Sequence, residues 1–241
     1  MKRVKFLLGI LTLFLFIGGY YIFRVYESGV EAPELKANPK YILTEEEKGL
    51  LQEGDIIMRH GEGLVSSMIA HINKGAPYRL SHCAFLTKGK KDWVVIHAVS
   101  GSLGATDGMQ TASLDRFTKE SIDSSIVVIR YKGDSITRQR FIEQAKVYLE
   151  RKIPFDNEFT LADTSTFFCS ELIHQVFLNV LQEDIFASRL TTDHPNYIHF
   201  DQFLDPRYFE LILNHQGDKV APYMRADTEM KTDTLQTTYR H

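Results

Sequence analysis

The stretch LSHCAFLTKGKKDWVVIHAV, residues 80–99, carries two runs of strand-forming residues on either side of a short polar segment. β-branched and aromatic residues are frequent in both runs, as is typical of strands with one face in a protein core. Residues 88–91, KGKK, separate the runs and are typical of a hairpin loop. The stretch therefore predicts two neighbouring antiparallel strands.

The same stretch predicts that two imidazoles meet. A four-residue loop over 88–91 pairs Leu86 with Trp93 and places His82 directly opposite His97. Successive side chains of a strand point to opposite faces, so Cys83 is expected on the face opposite His82. A cysteine elsewhere that reaches His82 would then lie across the sheet from Cys83.

A second stretch, FFCSELI at residues 167–173, places a thiol at the start of an apolar helix. Polar residues over 163–166 supply candidate N-caps, so Cys169 is expected in the first helical turn. Free amides and the helix dipole stabilise a thiolate at this position. With His82 as a base and His97 holding its ring in the right tautomer, Cys169 has the surroundings of an activated nucleophile.

Plainer interpretations of these residues remain open. A cysteine in an apolar helix usually packs in a core, and this applies to Cys169 as well as to Cys83. A zinc site made by His82, His97 and Cys169 is chemically possible. The sequence has no ligand pair at the spacing usual for a helix or a zinc knuckle, which argues against that site.

Working outward, helical and strand patterns alternate without an internal repeat, which predicts one α+β domain over 44–214 with helices packed on an antiparallel sheet. One short helix is predicted to begin at Thr44. Three further helices are predicted over Leu64–Ile72, 134–151 and 168–181. The predicted strands cover 54–58, 80–87, 93–99, 125–131 and 208–213.

The N-terminus has the pattern of a signal anchor. Residues 6–23 are an uncharged run that three basic residues precede, and we expect one transmembrane helix within 1–24. The basic side faces the cytoplasm, so the domain would be periplasmic or extracellular. No good cleavage site follows, although a cleaved signal remains the alternative. Residues 25–43 are predicted to be a linker, and 215–241 a disordered tail.

Composition narrows the function classes. The chain has 241 residues, of which 44% are apolar, and 28 basic against 31 acidic residues give a net charge of −3. A nucleic-acid-binding domain normally has a strong positive excess, so no nucleic-acid partner is expected. The two cysteines cannot form a disulfide framework or a four-cysteine zinc site.

Three segments in order, Gly54–Ile57, Ser81-His82 and Phe168–Leu172, resemble the permuted papain-like cysteine hydrolases. The resemblance is closest to the YiiX/YebB type within the NlpC-like superfamily, and it spans roughly residues 52–180. It implies a permuted papain-like fold, with Cys169 as nucleophile and His82 as base. It also implies a third polar residue on the following strand, where the family often has Glu followed by Ala and this chain has His97-Ala98.

These observations predict a membrane-anchored, extracytoplasmic cysteine hydrolase, an amidase or peptidase with a Cys169–His82–His97 triad and a thioacyl intermediate. No cofactor or metal is expected, and the substrate would be a cell-wall peptide or an acylated lipid. The alternative is a catalytically silent module of the same fold that binds a lipid or peptide. The sequence makes no prediction of an oligomeric state.

Overall fold

The structure is a computed structural model, and it describes residues 12, 14–20, 40–73, 78–101, 106–161, 164–187 and 198–217. Most of the predicted anchor over 1–24 lies outside these ranges; its described residues, 12 and 14–20, are helical. Within the described ranges, no helix combines the length and the apolar character needed to cross a bilayer.

One six-stranded antiparallel sheet forms the centre of the domain, in the spatial order β4-β3-β2-β1-β5-β6. The predicted strands are present, and β4 was not predicted because its sequence, GMQTAS, has few β-branched or aromatic residues. The strands are β1 (Ile56–Arg59), β2 (His82–Lys88), β3 (Trp93–Val99), β4 (Gly108–Ser113), β5 (Val127–Tyr131) and β6 (Phe209–Asn214).

The sheet separates two hydrophobic cores. On one face, Phe85 packs with Phe141 and Phe177 of the two long helices, whose rings stack on each other at 4.0 Å between centroids. On the other face, a smaller core includes Leu86, Val95 and Phe117. The described helices are α1 (Glu45–Leu50), α2 (Leu64–Ile72), α3 (Leu114–Lys119), α4 (Ser135–Glu150) and α5 (Cys169–Leu181), with a 3₁₀ helix at Phe200–Leu204.

The register of the β2–β3 hairpin differs from the predicted one. Lys88, not Leu86, lies opposite Trp93, so the predicted pairing of His82 with His97 is wrong by two residues. The loop begins one residue later than expected, because the amide of Gly89 donates a hydrogen bond of 2.8 Å to the carbonyl of Asp92. A shift of two residues leaves each side chain on its predicted face.

The Gly54-Asp55 pair has a structural role at the entry to β1. Gly54 has φ of +86°, and a Cβ there would lie 2.7 Å from the carbonyl oxygen of Arg138. Asp55 is fully buried and accepts two hydrogen bonds from Arg130, at 2.7 and 2.8 Å. This bidentate pair ties the start of β1 to β5.

Residues at the edges of the predicted linker and tail pack on the domain. The hydroxyl of Tyr41 contacts His215 and accepts a hydrogen bond from the amide of Ile126 at 3.2 Å. His215 also lies 2.7 Å from a carboxylate oxygen of Glu47. Residues 25–39 and 218–241, which make up most of the predicted linker and tail, lie outside the described residues.

Candidate active site

Cys169 is the first residue of helix α5, as the sequence predicts, and only 6% of its surface is exposed. The N-cap is Phe168 instead of a polar residue from 163–166, and it has an extended backbone. The carboxylate of Glu171 reaches back to accept the Phe168 amide at 3.3 Å, which compensates for the missing polar cap. The first amides of the helix are therefore available to the sulfur.

The sulfur of Cys169 is surrounded by hydrogen-bond donors. The thiol of Cys83 lowers the pKa of Cys169 most, and the amides of Cys83, Ser170 and Cys169 lower it further, although burial opposes them. Burial and the bond to Cys169 raise the pKa of the Cys83 thiol well above its ordinary value. The expectation that the sheet separates the two cysteines is wrong, because helix α5 packs on the face of β2 that carries Cys83.

The two predicted histidines form a hydrogen-bonded pair. Nε2 of His82 lies 2.9 Å from Nδ1 of His97, and their ring centroids are 5.2 Å apart at an interplanar angle of 62°. The ring of Phe117 contacts both imidazoles, with centroids at 5.7 and 6.0 Å. The pair is held although the two residues are not directly opposite, because long side chains on diagonal positions still reach each other.

Both imidazoles are neutral at ordinary pH. Burial, assisted by the charges of Arg59 and Arg116, lowers the pKa of His97 to about 3. Burial also lowers the pKa of His82 well below its ordinary value, with smaller effects from His97 and Arg59. A neutral imidazole has one free lone pair, so each ring can accept a proton or a hydrogen bond at one nitrogen.

A cavity of about 340 Å³ brings the three predicted site residues together. Cys169, His82 and His97 all line it, so the nucleophile and the histidine pair open onto the same space at the N-terminal end of β2. Its wall combines ten polar or charged side chains with seven apolar ones. The apolar side chains are Val65, Ile69, Ala98, Val99, Ala112, Phe155 and Phe159.

Arg59 also lines this cavity, and the sequence analysis missed it. It is the last residue of β1 and lies directly opposite His82. Its guanidinium lies 4.4 Å over the ring of Phe117 and donates to the Phe117 carbonyl at 2.7 Å. The only signal in the sequence is a charged residue at the end of the apolar strand Ile56–Met58.

The charge of Arg59 is incompletely balanced. Its side chain is 12% exposed, and its nearest carboxylate, Glu120, lies 3.4 Å away and is shared with the more exposed Arg116. Nε of Arg59 is buried without a hydrogen-bond partner. Burial lowers the pKa of Arg59 to about 10, while the negative charges of Glu120 and Cys169 oppose that change. A thiolate at Cys169 would thus be a favourable neighbour for this cation.

The family comparison agrees with this geometry. The family described as permuted papain-like amidase enzymes, YaeF/YiiX, C92 family, matches residues 50–198. The chain belongs to this family. It is therefore a cysteine hydrolase of the amidase type, and its sheet and helices are those of a permuted papain-like domain. The matched range includes His82, His97 and Cys169.

A solved structure shares the fold of this amidase. It is described as metalloprotein yiiX from Escherichia coli O157:H7, with 20% sequence identity and a TM-score of 0.53. The alignment covers 68% of this chain and 97% of that chain. At this identity the likeness concerns the fold alone. No curated protein matches the chain.

The zinc alternative does not fit the described residues. Among them, no three His, Cys, Asp or Glu side chains are grouped so that they could hold a metal ion. Nε2 of His82 and Nδ1 of His97 point at each other across 2.9 Å, so the hydrogen bond occupies one nitrogen of each ring. Cys169, the third proposed ligand, is hydrogen-bonded to Cys83.

Proposed function

We propose that this amidase cleaves its substrate with Cys169 as nucleophile, His82 as base and His97 as the residue that orients His82. The observation that carries the proposal is the shared cavity: a thiol with a lowered pKa and a hydrogen-bonded pair of neutral histidines line one space. Nucleophile, base and orienting group are the three parts that papain-like chemistry needs.

The hydrogen bond between the histidines defines the proton path. For His82 to act as the base, its Nε2–H must donate to Nδ1 of His97, which leaves Nδ1 of His82 to take the proton of Cys169. The sulfur then attacks the amide carbonyl, and the C–N bond breaks as His82 returns the proton to the leaving amine. Water then adds to the thioester carbonyl as His82 takes its proton, the C–S bond breaks to release the carboxylic acid, and His82 returns the proton to the sulfur of Cys169.

Two features stabilise the negative charge during this reaction. The amide of Cys169 at the helix start is a candidate donor to the oxyanion of the tetrahedral intermediate. The guanidinium of Arg59 lies opposite His82 in the sheet and adds positive charge to the same cavity. Because Cys169, His97 and Arg59 are largely buried, fixed charges and dipoles act more strongly among them than they would in water.

We place the enzyme on the outer side of a membrane, with residues 6–23 as an uncleaved anchor and a cell-wall peptide or an acylated lipid as substrate. The apolar run and its basic flank support the anchor. In the described part of this segment, Phe14, Leu15 and Phe16 are each more than half exposed. The seven apolar side chains in the cavity wall are compatible with an acyl chain.

A catalytically silent binding module of the same fold remains the competing function. It predicts an inert thiol at Cys169, whereas the donors around that sulfur favour a reactive one. The solved yiiX structure is described as a metalloprotein. We do not carry a metal over to this chain, because the described residues around Cys169 do not fit one. No reaction step here involves one.

Labelling with a thiol-reactive acyl probe tests the catalytic proposal. We expect the probe to label Cys169 in the folded full chain and in the Cys83→Ala control variant. The Cys169→Ala variant should stay unlabelled. Product analysis on cell-wall and lipid fractions then identifies the substrate class. Equal labelling of Cys169→Ala, or no labelling of the folded wild type, would favour the silent binding module.

A reporter fusion tests the placement. A reporter that functions only outside the cytoplasm, fused after Leu213, should be active, because the basic N-terminal flank orients the anchor with its start inside. A matched fusion lacking residues 1–24 should be inactive. An inactive first fusion, together with activity of a reporter that functions only in the cytoplasm when it is fused at the same position, would refute the proposed orientation.

A further inference from the structure

Helix α2 exposes an apolar stripe next to the candidate active site. Only Ala70 of its nine residues is buried, and the stripe comprises Leu64, Val65, Met68, Ile69 and Ile72, which helical spacing places on one side. Val65, Met68 and Ile72 are 37%, 56% and 51% exposed. The other exposed large apolar residues described in the domain are scattered: Ile42, Leu50, Ile136, Val147 and Leu211.

The stripe continues into the cavity. Val65 and Ile69 line the cavity that also contains Cys169, while Met68 and Ile72 lie farther along the same side of the helix, toward solvent. Two side chains of the stripe therefore extend from the surface into the cavity that contains the nucleophile. An exposed apolar patch beside a catalytic cavity indicates a surface that a membrane or another protein surface covers.

We propose that the α2 stripe, defined as Leu64, Val65, Met68, Ile69 and Ile72, docks on the lipid bilayer and admits the acyl chain of a membrane-resident amide substrate to Cys169. This inference rests on the proposed function, and within it selects the acylated lipid over the cell-wall peptide. A short amphipathic helix of this kind buries its apolar side about 5–10 Å into the boundary between headgroups and acyl chains.

Two further observations identify the bilayer as the occupant. Helix α2 itself contains no acidic residue, and over residues 61–81 Lys74 and Arg79 outweigh Glu62 by one positive charge, which complements an anionic lipid surface. The proposed anchor also keeps the domain close to the membrane. Residues 25–40, which precede the part of the chain that packs on the domain, span at most about 55 Å when fully extended, so the anchor would keep the domain within that distance of the bilayer.

Tryptophan quenching by brominated lipid tests the docking on the full chain. Trp93, the only tryptophan, is replaced by Phe, and single tryptophans are introduced as Met68→Trp or, as a second probe, Ile72→Trp. Ile136→Trp is the matched control, since Ile136 is 68% exposed and follows the C-terminal end of β5, which pairs with the start of β1. Helix α2 follows the other end of β1.

The proteins are placed in vesicles of phosphatidylglycerol and acyl-brominated phosphatidylcholine and isolated by flotation, and Cys169 acylation is measured on the same samples. We expect fluorescence at positions 68 and 72 to fall by about half, as insertion to this depth implies, and position 136 to be unaffected. Circular dichroism checks that each variant is folded.

Every other outcome overturns the docking. The docking is refuted if the protein floats but the probes at 68 and 72 are unquenched, or if position 136 is quenched equally. In both cases the anchor and the acylation of Cys169 still stand. Protein that does not float refutes both the docking and the anchor. A blue shift without quenching, together with a doubled mass in light scattering, assigns the stripe to a second copy of the chain.

Discussion

His82 and His97 are joined by a hydrogen bond of 2.9 Å between Nε2 of the first ring and Nδ1 of the second. The bond occupies Nε2 of His82 and leaves Nδ1 as the nitrogen that the proposed base would use for proton transfer. It also couples the tautomers of the two rings, because one proton lies along this line, and His82 can accept a proton at Nδ1 only when its own Nε2 is the donor. The two residues therefore have unequal roles, which mutation can separate.

Replacing each histidine should give losses of different size. His82→Ala removes the base, so acylation of Cys169 should slow by about 10²–10⁴-fold. His97→Ala removes only the orienting partner and should slow it less than His82→Ala does. Stopped-flow measurement with a chromogenic ester reports both rates. A His97→Ala enzyme as fast as the wild type would show that His97 is not part of the triad. Thr87→Val serves as a control on the same strand pair.

The two thiols should react at very different pH values. Iodoacetamide attacks only the thiolate, and the pKa of Cys169 is lowered by the Cys83 thiol and by three amides. Cys169 should therefore be alkylated below the pH at which a free thiol ionises. Burial raises the pKa of Cys83, so Cys83 should react only after unfolding. Peptide mapping over a pH series measures both rates.

The Cys83→Ala variant provides the control for that experiment. It deletes the thiol that donates to Cys169 but keeps the amide of residue 83, so the pKa of Cys169 should rise only partly toward its ordinary value. An unchanged alkylation profile would show that the thiol donor has no effect, and equal rates at both cysteines in the wild type would contradict the assigned surroundings of Cys169.

Arg59→Gln should raise the pKa of His97. The guanidinium of Arg59 disfavours a second positive charge, and after burial it is the main cause that holds the pKa of His97 at about 3. Without the charge of Arg59, His97 becomes protonated at a higher pH. The pH below which activity is lost should therefore rise. Titration of the imidazole signals by NMR measures this shift. Arg116→Gln should have a smaller effect; identical titrations in wild type and Arg59→Gln would refute the coupling.

Asp55→Asn should destabilise the fold without touching the cavity. Asp55 is fully buried and paired with Arg130 through two hydrogen bonds, and the amide would leave the guanidinium without a matching charge. Breaking such a pair costs about 3–5 kcal/mol. Urea unfolding measures the loss. Arg116→Ala, which breaks a pair on the surface of α3, should cost less than about 1 kcal/mol.

Much of the site is visible in the local sequence. Alternation along a strand depends only on backbone geometry, so the faces of His82, Cys83 and His97 follow from parity, and they survive an error of two residues in the register. The position of Cys169 at a helix start likewise follows from a nearby change in residue pattern. These are properties of neighbouring residues in the chain.

The tertiary structure alone decided which elements meet. The contact between Cys83 and Cys169 joins residues 86 positions apart in sequence, and it depends on the face of the sheet that α5 covers. The place of Arg59 opposite His82 likewise depends on the pairing of β1 with β2. Sequence periodicity specifies which side of an element is buried, but packing between distant elements determines what it is buried against.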